Sequence, residues 1–176
     1  GKTDLAEANF QKAVLSEPHF ADAHHALGSA LCNRGDSAKG IPELEAAAKL
    51  QPENATYWYA LGNALRNDQT RPEALHLARK AFEESLERDP QFPFAHYFYG
   101  VTLENLGDME GAVREYKRTL EIQSDFGSAR HRLGDVLKTL GRNEEGQMYL
   151  AQFATQARTE IDKVHGGRRS NSFVDT

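Results

Sequence analysis

Apolar residues along this chain fall three and four positions apart over much of its length. Ala6, Phe10, Ala13 and Val14 form one such set, and Ala112, Val113, Tyr116 and Leu120 form another. That spacing gathers side chains onto one face of an α-helix. Gly35, Gly107 and Gly141 interrupt the pattern, each seven residues after another glycine, at points where a helix must end and the chain must reverse. The pattern therefore predicts helical hairpins, with no strand-like alternation between them.

The hairpins recur. Leu27-Gly28, Leu61-Gly62, Tyr99-Gly100 and Leu133-Gly134 are spaced by 34, 38 and 34 residues. Pro18, Pro52 and Pro90 keep the same intervals, and Ser124 takes the next slot. Two independent markers share one register, including its irregular interval, as expected of a repeat architecture. The marker glycines read as packing devices that let helix backbones approach, Gly28 against Ala47 and Gly62 against Ala78 and Ala81.

These residues resemble the tetratricopeptide repeat, a helix-turn-helix unit of about 34 residues with the pattern W-x2-L-G-x2-Y, then A-x3-F, then P. Trp58-Tyr59-Ala60-Leu61-Gly62 with Leu65 matches the first half. Ala6-Glu7-Ala8-Asn9-Phe10 with Ala13 and Pro18 matches the second. The resemblance implies an all-α, right-handed α-solenoid of stacked repeats over residues 1–165. It comprises a half repeat at 1–20 and repeats at 21–54, 55–92, 93–126 and 127–165, the last carrying a capping helix that runs on through Phe153, Ile161 and Val164. Residues 166–176 read as a flexible tail, in which Arg168-Arg169-Ser170-Asn171-Ser172 is a weak phosphorylation motif. Beginning midway through a repeat, the chain either uses its first helix as a cap or is part of a longer array, and the longer array is the expectation.

Three departures from the repeat pattern carry local expectations. Gly40 and Gly146 replace the usual alanine of the second helix, which predicts looser turns there. Pro42, tolerated only in a first helical turn, places that helix start near Ile41. The four extra residues between Asn67 and Ala78 predict a second helix lengthened from Arg71.

In such repeats the first helices line a concave face, and the resemblance assigns groove positions to this chain. The first repeat presents Asp22, His25, Ser29, Cys32 and Asn33, and the second Thr56, Tyr59, Asn63, Arg66 and Asn67. The third presents Phe94, Tyr97, Val101, Glu104 and Asn105, and the fourth Ser128, His131, Asp135, Lys138 and Thr139. Aromatic area from Tyr59, Phe94 and Tyr97, flanked by amides, suits an extended peptide. The alternative is that Tyr97 and Phe94 complete packing between repeats while Asn33, Asn67 and Asn105 terminate helices. Docking of a chaperone C-terminal tail is disfavoured, because Tyr59 and Phe98 stand where a lysine and an asparagine grip such tails, and only Asn63 matches.

Composition removes other classes. Lys and Arg total 21 against 26 Asp and Glu, a net charge of -5, which gives no field to draw nucleic acid or an anionic membrane. Apolar runs fall far short of the ~18 residues that span a bilayer. A single cysteine, Cys32, forms no internal disulfide and fits a reducing, cytoplasmic compartment. Gly141 to Gly146 lacks the Lys-Ser or Lys-Thr of a phosphate loop, and the common zinc, redox and serine-hydrolase signatures are absent. His19, His24 and His25 cluster locally without further metal ligands, and His24, in the slot of Trp58, reads as core. Glu83-Glu84 and Glu144-Glu145 read as solvated faces. Arg130, His131, Arg132 and Lys138 make the fourth repeat basic, either to receive an acidic segment or as plain charged surface. Asn54-Ala55-Thr56 is a chance sequon in a turn.

The expected role is a scaffold or adaptor that holds a protein or peptide, with no catalysis, cofactor or metal. The alternatives are the recognition arm of a larger enzyme or secretion component, and a module that self-associates through the ends of its stack.

Overall fold

A computed structural model describes the backbone of residues 2–170 and the side chains of residues 5–159 and 161. Among these residues the chain is all-helical: α1 (Lys2–Ser16), α2 (Ala21–Asn33), α3 (Ser37–Leu50), α4 (Ala55–Asn67), α5 (Ala74–Arg88), α6 (Pro93–Asn105), α7 (Met109–Ile122), α8 (Gly127–Thr139) and α9 (Asn143–Ser170). The marker Leu-Gly and Tyr-Gly pairs lie in α2, α4, α6 and α8, the first helix of each hairpin.

Local chemistry sets the helix ends. The carboxylates of Asp36 and Asp108 accept from the backbone N–H of Lys39 and Gly111, at 3.4 and 2.8 Å, satisfying amides that open α3 and α7 without helical partners. Asn54 caps α4 by accepting from Thr56 N–H at 3.0 Å, so the sequon amide serves as a helix cap. Gly35, Gly107 and Gly141 adopt φ of +91°, +85° and +79°, the left-handed turn that glycine takes without steric cost.

Three local expectations are corrected. Helix α3 begins at Ser37, not near Ile41, because Asp36 nucleates it; Pro42 lies inside the helix, on an exposed face beside exposed Ala38, whose carbonyl can turn to water. The extra residues of the second repeat lengthen the turn, and α5 starts at Ala74 rather than Arg71. Asp68 holds that turn: its carboxylate accepts from the N–H and hydroxyl of Thr70 at 2.9 and 2.6 Å and pairs with Arg71 at 3.2 Å. Gly40 and Gly146 mark close contacts rather than loose turns. A β-carbon on Gly40 would meet Gly28 O at 2.7 Å, and one on Gly146 would meet Gly134 O at 2.6 Å.

The neighbours of the marker glycines also differ from those expected. Gly28 faces Gly40 and Leu44, and Gly134 faces Gly146 and Leu150. Gly62 lies under the ring of Phe82, and Gly100 under that of Tyr116. Where an aromatic ring separates the paired helices, the adjoining position holds a buried alanine, Ala78 or Ala112; where leucine stands, the backbones close until only glycine fits.

Each hairpin is anchored to the turn before it. His24, Trp58 and His96 donate from ring nitrogen to the carbonyls of Pro18, Pro52 and Pro90, at 3.0, 2.8 and 3.1 Å. Arg130 donates to the carbonyl of Ser124. The two histidines also join their hairpin partners, His24 Nδ1 to Glu43 at 2.6 Å and His96 Nδ1 to Glu115 at 2.8 Å. His24 is buried, as expected from its shared slot with Trp58.

Consecutive helices pack throughout, and α2 also touches α4 and α4 touches α6. First helices therefore approach one another on one side, which makes that side concave and gives the molecule the form of an α-solenoid. Buried Ile41, Leu44, Phe82, Tyr116, Leu133 and Leu137 run through its centre. Helix α9 continues through Gly166-Gly167 to Ser170; residues 171–176 of the expected tail lie outside the described residues.

Candidate functional site

The concave side of α2 and α4 encloses a cleft of about 360 Å³. His25, Ser29, Cys32 and Asn33 reach it from α2, and Thr56, Tyr59, Asn63 and Asn67 from α4. The structure thus brings together eight of the ten positions assigned to these two helices. Of the other two, Asp22 accepts the Tyr57 hydroxyl, and Arg66 lies toward α6. Burial and the Asp22 bond push the Tyr57 hydroxyl up to about 12. Burial lowers the pKa of His25, which stacks on Tyr57 at 5.1 Å, and raises that of Cys32, to which Asp36 and Asp68 add. An uncharged imidazole and a thiol then line this end of the groove.

The middle of the groove is aromatic but already internally packed. Tyr59 stacks on Phe92 at 4.9 Å and Phe98 at 6.1 Å. Tyr97 meets Phe98 at 4.9 Å and Phe126 at 5.0 Å, and Phe94 meets Phe126 at 5.3 Å. Tyr59 and Tyr97 are half-buried, whereas Phe94 is exposed. Phe92 and Phe126, which sequence reasoning did not select, take part in three of these five ring contacts. A signal for them existed: Phe20, Phe92 and Phe126 each follow the proline-or-serine marker by two residues. Val101 belongs to the core instead of the groove surface, at 5% exposure; Asn105 is exposed.

Arg66 stands at the join between the cleft and the aromatic layer. Its guanidinium lies over the Phe98 ring, 4.9 Å from the centroid, and one Nη2 N–H donates to Asn63 Oδ1 at 3.0 Å. Its Nε is buried without a hydrogen-bond partner. Burial lowers the Arg66 pKa, opposed by Tyr97 and reinforced by Arg132.

In the fourth repeat the basic residues are largely occupied. Arg130 donates to Gln156 and to the Ser124 carbonyl. Arg132 pairs with Glu104 at 3.1 Å, an acid that also accepts the Tyr116 hydroxyl at 2.7 Å. His131 pairs with Asp135 at 3.2 Å and sits edge-on to Phe153 at 5.0 Å. Ser128, Lys138 and Thr139 are exposed. Among the described residues no group of three or more histidine, cysteine or acidic side chains converges as a metal site would require, and no helix is long and apolar enough to cross a membrane.

Stacked helical hairpins around a polar and aromatic groove define a repeat scaffold. The Tetratricopeptide repeat profile matches residues 25–77 and 75–125, and the chain belongs to that family. It is similar to the cellulose synthase 1 operon protein C of Komagataeibacter xylinus, at 24% identity over 93% of this chain. The chain spans 13% of that relative's length and no more than about half of other relatives it matches. Among solved structures, MamA superposes with a TM-score of 0.83 at 20% identity, over 92% of each chain. YrrB, described as a TPR protein with an unusual peptide-binding site, superposes with a TM-score of 0.74 at 18% identity, over 95% of this chain and 84% of its own. These likenesses establish the fold.

Proposed function

We propose that this chain is a binding scaffold whose concave groove holds an extended peptide or protein segment and performs no chemistry of its own. The observation that carries the reading is the cleft between α2 and α4, where the amides of Asn33, Asn63 and Asn67 surround an aromatic wall at Tyr59. Asn63 receives the Arg66 bond on Oδ1, which leaves its amide N–H groups for a ligand carbonyl. Asn33 and Asn67 are exposed and can offer both halves of the amide, so together the three suit the alternating donors and acceptors of an extended backbone. The description of YrrB as peptide-binding supports the same use of the fold. Site residues under this reading are His25, Asn33, Tyr59, Asn63, Arg66 and Asn67, continued by Phe94, Tyr97 and Asn105, and then by His131, Asp135 and Lys138. A cytoplasmic location belongs to the same proposal.

The test is selection of a displayed random-peptide library on the chain, followed by affinity measurement against an Asn33→Ala/Asn67→Ala variant. Both positions are exposed, so folding is preserved. Each lost amide bond is worth about 0.5–1.5 kcal/mol, and the double variant should bind selected peptides about tenfold more weakly. Equal affinity for the two proteins would refute the groove assignment.

A further inference from the structure

Arg66 stands apart from three other half-buried arginines. Half-buried Arg71, Arg88 and Arg132 pair with Asp68, Glu84 and Glu104 at 3.2, 2.6 and 3.1 Å. Arg66, equally half-buried, pairs with no carboxylate among the described residues. Its nearest fixed partners are the Phe98 face and the neutral Asn63 oxygen, and its Nε has none. The acids at the assigned groove positions are engaged elsewhere: Glu104 by Arg132 and Tyr116, Asp22 by Tyr57, Asp135 by His131. An incompletely solvated guanidinium with no internal anion is an unfavourable feature for the free protein, and a ligand carboxylate would relieve it. The ring beneath Arg66 and the Asn63 bond beside it hold the planar fork in place, so little freedom is lost when an anion docks.

We propose that the segment held in the groove carries an aspartate or glutamate side chain that docks on the Arg66 guanidinium. This rests on the groove reading above and specifies the chemistry of its occupant. The acid is internal to the ligand rather than its terminus, because contact surface lies on both sides of Arg66. The α2/α4 cleft with His25 and Asn33 is on one side, and the rings of Tyr97, Phe126 and Phe94 are on the other. A segment that uses both passes Arg66 partway along its length.

The experiment uses pools of random decapeptides, blocked at both termini, with a fixed central Glu, Gln or Lys. Retention is measured on the immobilised chain and on its Arg66→Met, Arg66→Lys and Asn33→Ala/Asn67→Ala variants, each checked for native helicity. The Glu pool should be retained about tenfold over the Gln pool, with the Lys pool weakest. Arg66→Met, which keeps the stem over Phe98, should remove the preference, and Arg66→Lys should retain it. Equal retention of Glu and Gln pools, with binding still dependent on Asn33 and Asn67, overturns this inference and leaves the groove reading standing. So does a preference that appears only when the peptides carry a free carboxyl terminus. Retention of no pool, or retention indifferent to Asn33 and Asn67, overturns the groove reading itself.

Discussion

The carbonyl oxygen of Gly28 lies 2.7 Å from the point where a β-carbon on Gly40 would sit. The equivalent oxygen of Gly134 lies 2.6 Å from the corresponding point on Gly146. The first and last hairpins are thus closed backbone to backbone, and the two inner hairpins are held apart by Phe82 and Tyr116.

Gly40→Ala should therefore destabilise the protein, although alanine favours a helix by up to ~1 kcal/mol over glycine. The added carbon meets backbone atoms, Gly28 O and Cys32 N at 2.7 and 2.9 Å, which yield only if α2 and α3 separate. A net loss of about 1–3 kcal/mol is expected, read as a lowered urea midpoint; an unchanged or raised midpoint would mean that the helices are not in close contact.

Gly107→Ala isolates a different cost. Nothing lies within 4 Å of its missing β-carbon, so only the φ of +85° opposes the change. The penalty should be about 1–2 kcal/mol, and Gly107→Asn should cost less, because asparagine visits this region more readily. Thermal melts of the two variants give the comparison.

Loss of the His96 ring removes the donor to Pro90 O and the partner of Glu115 together. Because His96 is buried, His96→Ala should cost about 1–3 kcal/mol. Amide hydrogen exchange should quicken most in α6 and α7, the helices that it ties.

Asp68 gives an acid dependence with a defined sign. The Thr70 bonds and Arg71 hold its carboxyl below the usual carboxylate value, against the opposing effect of burial. Its contribution is fully present above about pH 3.9, the ordinary aspartate value, and is lost as pH falls through the lower folded value. Asp68→Asn should lower the urea midpoint near neutral pH and flatten its fall between about pH 4 and pH 2. Parallel curves for the two proteins would exclude this role for the turn.

The repeat was legible because its markers act within one hairpin or across one junction. A marker glycine and the side chain that packs on it lie 16 positions apart at Gly28–Leu44, Gly100–Tyr116 and Gly134–Leu150, and 20 apart at Gly62–Phe82, where the repeat is four residues longer. The α4–α5 turn was not legible, because Arg71 to Lys80 has helical character that Asp68 overrides by engaging Thr70 and Arg71. The start of α3 is masked in a similar way, because Pro42 looks like a first-turn residue while the Asp36 cap opens the helix five residues earlier. In the groove, the positions of Tyr59, Asn63 and Asn67 followed from the resemblance. The stacking of Phe92 on Tyr59 and Phe126 on Tyr97 did not, since each ring lies a repeat away from its partner. The lack of a carboxylate partner for Arg66 among the described residues is equally hidden, because it depends on which partners the groove acids find.

A ligand lying along the inner helices should be visible in an amide chemical-shift map of the chain with a library-selected peptide added. Perturbations should concentrate in α2, α4 and α6, with Asn33, Tyr59, Asn63, Arg66 and Asn67 among the largest. Shifts concentrated instead on α3, α5 and α7 would contradict it, because those helices form the outer face of the hairpins.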